Sequence, residues 1–193
     1  MRLDIAGTTL WGVFIVSWYA GALWTARALK RNSIAGRAMD VLVYAIAFGL
    51  LLASPPEPRP GWRTPLPLGL ILLGLEVSAF AFAWWARLTL GRLWSGMITL
   101  REGHQVIQTG PYRLVRHPIY TGFLGAAWSF ALLVGAPRPL LGSLLLTATM
   151  ALKARREEAF LRQELGEAAY DDYARRTPML VPFLKTAGSP HVR

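Results

Sequence analysis

The chain has 193 residues, 53% of them hydrophobic, with 21 Lys and Arg against 11 Asp and Glu and no cysteine. The missing thiols exclude disulfides, thiolate catalysis and cysteine-ligated metal. The apolar residues fall in blocks, which excludes the amphipathic stripes of a soluble helical domain, and the net charge of +10 is distributed in a way that excludes a nucleic-acid surface.

Charge-free runs extend over 5–26, 41–56, 64–86 (interrupted by Glu76), 117–137 and 139–152. A bilayer core needs about 20 apolar residues of helix, and the first, third and fourth runs meet that length. The second and fifth are shorter, but Arg37, Lys153 and Arg155 can snorkel from their ends. The reading is an all-α integral membrane protein of one domain with five transmembrane helices, over 5–29, 38–54, 65–88, 118–135 and 139–155. The segments 89–117 and 156–193 lie outside the bilayer. The first run has Arg2 and Asp4 before it and a basic cluster after it, so it reads as a retained anchor and not as a cleaved signal peptide. Ala53–Pro67 holds six prolines and is a stiff connector.

With the N-terminus outside, 17 of the 21 basic residues fall on the inner side, leaving Arg2, Arg59, Arg63 and Arg138 outside. This is the positive-inside pattern, so the C-terminus is expected in the cytoplasm. Richness in Ala, Arg, Gly and Pro without cysteine points to a bacterial chain, hence to an inner membrane.

Two inner segments are too long to be simple connectors. In 89–117, glycines at 91, 96, 103 and 110 break any helix, and 97–100 and 105–107 read as short extended stretches around "REGH". Pro118 suits the first turn of the fourth span, where free N–H groups make a positive helix end and place Arg116 and His117 at an anion site. Arg113 reads as an interface anchor. In the second segment the fifth helix runs on through charged residues until "GEAAYDDY" and "TPMLVP" end it and turn the chain back. Glu158 has Arg162 four residues on, in the favourable order for a helical ion pair. Glu157 shares its face with Lys153, Phe160, Leu161 and Glu164, a mostly apolar side where a carboxylate needs a partner. The tight "GAPRPL" turn joins the last two spans, which brings the Arg116–His117 pair near the Glu157–Glu158 pair on the inner side. Such a pocket, open sideways to lipid, suits a polar cofactor meeting a lipid-like substrate.

The stretches "REGHQVIQTGPYRLVRHPIYTG" (101–122) and "EEAFLRQELGEAAYDDYARRTPMLVP" (157–182) resemble the isoprenylcysteine carboxyl methyltransferase family and its bacterial and archaeal relatives. The resemblance implies S-adenosylmethionine as cofactor, no metal and no nucleic acid, and a prenylated or lipid-like acceptor drawn from the bilayer, methylated on a carboxylate. It implies cofactor contacts from His104, Gln105, Val106, Ile107, Tyr112, His117 and Glu157, with Arg116, Tyr120 and Glu158 beside them. The family positions its acceptor with arginines. Here Ala83 and Lys153 stand at the matching places, so Arg87, Arg92 and Lys153 are the candidate catalytic cations. Three other readings stay open: N-methylation of a phosphatidylethanolamine-type head group, with Trp84 and Trp85 around the cation; an NADPH-dependent membrane reductase; and a transporter in which Glu76 marks an ion path.

Overall fold

Among the described residues of the computed structural model, four of six α-helices are bounded by proline or glycine. The structure describes residues 3–22, 30–31, 34–53, 61–91, 99–100 and 107–184. The helices are α1 (Leu3–Ala22), α2 (Ile34–Leu52), α3 (Leu66–Leu90), α4 (Pro118–Val134), α5 (Pro137–Leu165) and α6 (Glu167–Arg176). Proline stands in the first turn of α3, α4 and α5, where its missing N–H costs nothing. Gly135 ends α4 in the left-handed region (φ 69°), and a Cβ there would lie 2.3 Å from the Trp62 carbonyl oxygen. That carbonyl's own residue donates its N–H to the Gly135 carbonyl at 2.8 Å, so the segment before α3 is laced to the end of α4.

Among the described residues the fold is all-helical apart from one antiparallel pair, β1 (Lys30–Arg31) with β2 (Thr99–Leu100). The β2 strand falls within the extended stretch expected over 97–100. Two helices, α1 over Leu3–Gly21 and α3, have the length and apolarity to cross a membrane; Met39–Leu52 of α2 and Pro118–Val134 are shorter apolar helices. The fifth helix continues unbroken from its apolar half into the charged half that carries Glu157 and Glu158. One expectation is corrected here. "GEAAYDDY" does not simply end that helix: Gly166, at φ 96°, breaks it, and the following residues form α6.

Small residues set the helix spacing. A Cβ on Gly122 of α4 would lie 2.7 Å from the Ala79 carbonyl oxygen and 2.8 Å from the Ala83 Cβ of α3. On Gly142 of α5 it would lie 2.7 Å from the Leu51 nitrogen of α2. Backbone meets backbone at both seams, the way helices associate where no hydrophobic drive separates lipid from side chain. The space between α1, α3 and α4 is filled by aromatic rings: Phe14 stacks on Phe80 at 4.2 Å, Trp11 meets Phe80 edge-on at 4.9 Å, and Phe123 closes on Phe14 at 5.0 Å. Glu76 is fully buried one turn from Phe80, against Gly7 and Phe130, and its carboxyl oxygens have no hydrogen-bond partner among the described residues.

Candidate functional site: a histidine between two glutamates

The site forms where the start of α4 meets the charged half of α5. The two helices leave the Gly135–Pro137 turn together, so residues near 117 and near 157 end at the same level. His117 is buried, with Nε2 3.1 Å from Glu158 Oε1 and Nδ1 3.5 Å from Glu157 Oε2. Arg116 donates Nε to Glu158 Oε1 at 2.7 Å and Nη2 to Oε2 at 3.1 Å, a bidentate pair. Tyr120, one turn along α4, donates its hydroxyl to Glu157 Oε1 at 2.7 Å and stacks parallel to the His117 ring at 5.5 Å.

The electrostatics follow. Burial lowers the His117 pKa, but hydrogen bonds and charge from Glu157 and Glu158 outweigh it and hold the imidazole above its ordinary value. Burial likewise pushes both glutamates up, and is outweighed: His117, Lys153 and Tyr120 hold Glu157 below the usual carboxylate range, and His117 and Arg116 do so for Glu158. Two carboxylates facing both ring nitrogens favour the doubly protonated imidazolium, whose two N–H groups can each donate.

A segment after α6 straps the site. The backbone N–H groups of Arg116 and His117 donate to the carbonyls of Pro178 (2.8 Å) and Met179 (3.1 Å). Thr121 Oγ1 donates to the Leu180 carbonyl at 2.6 Å, and Arg116 Nη1 to those of Ala174 and Thr177 at 2.9 and 2.5 Å. The Tyr173 hydroxyl donates to the Tyr112 carbonyl at 2.7 Å, which holds the short 3₁₀ turn Gly110–Arg113 under α6.

The N–H groups of Arg116 and His117, which precede α4, are taken by the strap carbonyls. One expectation is corrected by these contacts. Glu158 does not pair with Arg162: it pairs with Arg116 and His117, while Arg162 bonds Asp171 of α6 at 2.7 Å. Burial explains the choice, since a buried guanidinium must find an acid where an exposed one need not.

Of the residues singled out in the sequence, Arg116, His117, Tyr120, Glu157 and Glu158 come together. Tyr112 is buried within electrostatic reach of Glu157, and Ile107 is half-buried. Lys153 stands one turn before Glu157, its Nζ 5.5 Å from the Tyr120 ring and 5.8 Å from the Tyr44 ring. Arg87 is elsewhere, at the end of α3, with its guanidinium 4.4 Å from the Trp18 ring and 5.3 Å from the Trp84 ring, and Nη1 bonded to the Trp18 carbonyl. Arg92, His104, Gln105 and Val106 lie outside the described residues. Sequence reasoning missed Thr121, Tyr173 and the strap carbonyls; the proline at 178 was the one signal that the chain stops there in extended form. Among the described residues no group of three or more His, Asp or Glu is arranged to hold a metal ion.

A helical bundle with two described helices long and apolar enough for a membrane, and with a buried cluster of acids, imidazole and guanidinium where α4 meets α5, defines a membrane-type enzyme scaffold. A family model described as the isoprenylcysteine carboxyl methyltransferase (ICMT) family matches residues 72–163, which include the whole cluster. The probable protein-S-isoprenylcysteine O-methyltransferase of Oryza sativa subsp. indica is 34% identical over 136 residues, 67% of this chain and 67% of that protein. The chain belongs to the isoprenylcysteine carboxyl methyltransferase family. It is also similar to the cobalt-zinc-cadmium resistance protein CzcN of Cupriavidus metallidurans (36% over 129 residues, 64% of this chain and 52% of that one). A third relative is methanethiol S-methyltransferase 2 of Bradyrhizobium diazoefficiens, 44% identical over 73 residues, 38% of this chain and 27% of that one. The chain thus spans about half the length of the resistance protein and less of the methanethiol enzyme.

Proposed function

We propose that the chain is an S-adenosylmethionine-dependent methyltransferase with five membrane crossings, its N-terminus outside and its site on the cytoplasmic face of a bacterial inner membrane. Its acceptor is the carboxylate of a prenylated or lipid-like molecule. The observation that carries the reading is the state of Glu157. Its Oε1 is fixed by Tyr120, its Oε2 lies 3.5 Å from His117 Nδ1, and its side chain keeps 19% exposure where Glu158 keeps 9%. It is an ionised carboxylate with acceptor capacity left and a way in, which fits the ammonium of the cofactor's amino acid end.

Glu157 accepts that ammonium. Tyr120 and His117 hold the carboxylate in place, and Arg116 and Glu158 hold His117. Tyr112 and Ile107, with His104, Gln105 and Val106, line the adenine side. When bound, S-adenosylmethionine supplies an electrophilic methyl group on a sulfonium sulfur. Lys153 orients the anionic nucleophile, being one helical turn from Glu157, within electrostatic reach of it, and held over the Tyr44 and Tyr120 rings; a carboxylate needs no base, so orientation in a dry site is the protein's main contribution. Arg87, braced by two indoles at the end of α3, is the second candidate and Arg92 the third.

A thiolate acceptor is the second reading, favoured by the similarity to a methanethiol S-methyltransferase. Incubation of the purified protein in lipid with methyl-labelled S-adenosylmethionine and a farnesylcysteine analogue, methanethiol or phosphatidylethanolamine separates the cases. Label released as methanol by base marks an ester; volatile base-stable label marks a thioether; label retained on lipid marks N-methylation. No transfer to any acceptor contradicts the proposal.

A further inference from the structure

Beyond the strap the chain makes one more turn, Val181–Leu184, closed by the Leu184 N–H donating to the Val181 carbonyl at 3.4 Å. Its side chains are apolar and turned outward: Val181 is 53% exposed, Leu184 59% and Phe183 91%. Phe183 lies in the left-handed region at φ 66°, the single described non-glycine residue with positive φ. A bulky residue in that region is a genuine outlier, and here it holds a phenyl ring almost fully off the protein surface.

The turn has a defined depth. Thr121 Oγ1 binds the Leu180 carbonyl at 2.6 Å, so the turn sits level with the first turn of α4, where the apolar run that begins at Pro118 starts. The same polar end carries further outward apolar groups, Leu114 on the turn before α4 and Trp85 and Leu88 on the last turns of α3, and the exposed cation Arg113. Apolar side chains rimmed by an indole and an arginine are what a protein presents to the boundary between head groups and acyl chains.

We infer that Val181–Leu184 is a membrane hook: Phe183 and Leu184 insert into the cytoplasmic leaflet and anchor the strap that holds Arg116 and His117. The occupant of this apolar surface is bilayer lipid, because the turn is tied at Thr121 to the helix face of α4 on which the apolar Trp128 and Leu132 also lie exposed. The inference rests on the membrane topology proposed above, and its test separates the two.

The chain has no cysteine, so single thiols can be placed at will. Phe183→Cys, Leu144→Cys on the outward face of α5 and Arg175→Cys on the polar end of α6 are each spin-labelled and reconstituted into phosphatidylcholine–phosphatidylglycerol vesicles. Collision with oxygen and with a water-soluble nickel chelate reports depth. At 183 the expected result is oxygen collision exceeding nickel collision, close to the Leu144 site and opposite to the Arg175 site. Nickel dominance at 183 with oxygen dominance at 144 overturns the hook and leaves the topology standing. Nickel dominance at both overturns the hook together with the topology. A second readout is the reactivity of a strap thiol: Phe183→Ser with Leu184→Ser, in a Met179→Cys background, should raise the thiol-labelling rate of the strap in vesicles severalfold, and an unchanged rate counts against anchoring.

Discussion

Arg116→Met keeps most of the arginine stem and removes the guanidinium, which makes it the sharpest probe of how the site is held. The guanidinium serves one carboxylate twice, a carbonyl of α6 and a carbonyl of the strap, and the arginine and glutamate side chains it joins are 8% and 9% exposed. Breaking one side of a buried ion pair costs about 3–5 kcal/mol, because the remaining charge stays out of water. The part of this that falls on the strap is the bond to Thr177, about 1.5–3 kcal/mol as a bond from a charged donor, while the bond to Ala174 ties the guanidinium to α6. Strap opening should therefore become about 10–100-fold more frequent, at 1.4 kcal/mol per tenfold. The assay is thiol labelling of Met179→Cys in lipid nanodiscs, with and without Arg116→Met. Arg116→Lys should lie between, since an ammonium beside Glu158 cannot also reach both carbonyls. A labelling rate within twofold of the parent in Arg116→Met would refute the reasoning, because the strap would then be held by its backbone bonds alone.

The site should also shape the pH dependence of stability. The His117 pKa is raised above the ordinary 6.5, so its contribution is complete below 6.5 and is lost as pH rises through the folded value; the glutamates lie below the ordinary 4.5, so theirs is complete above 4.5 and is lost as pH falls through their folded values. Thermal stability should plateau between 4.5 and 6.5 and fall on both sides, and His117→Gln should flatten the alkaline limb. Gly122→Val should destabilise by about 1–3 kcal/mol or more and broaden thermal unfolding, since the added carbons meet the Ala79 backbone and not a yielding side chain. Glu76→Gln should leave thermal stability within about 1 kcal/mol, because no described partner is lost from a carboxyl already without hydrogen bonds, as differential scanning fluorimetry would show.

Much of the architecture was legible because its causes are local. Apolar runs with proline at their start read directly as helices, and the short turn between α4 and α5 implied that their inner ends would meet. Partner choice was less legible. The i,i+4 rule offered Glu158 to Arg162, but that rule describes exposed helix surfaces, and burial of Arg116 and Glu158 made the pair across helices the stronger claim. The strap was nearly silent, since its contribution is made by carbonyl oxygens that every residue carries. The seam of Ala79 and Ala83 against Gly122 was present as small residues in two apolar runs, yet nothing local says which run faces which. Gly166 shows the opposite case, where one glycine was read as a stop and the chain used it as a corner between two helices.

The central claim is that Glu157 accepts the ammonium of S-adenosylmethionine, and binding of the labelled cofactor to purified protein in lipid tests it without any acceptor. Wild type should bind saturably, and Glu157→Gln should lose about 10–100-fold in affinity, the worth of a hydrogen bond between charged groups. Arg162→Ala, whose ion pair with Asp171 is part-exposed and does not include His117 or Glu157, should bind as wild type. Equal affinity in wild type and Glu157→Gln would contradict the account.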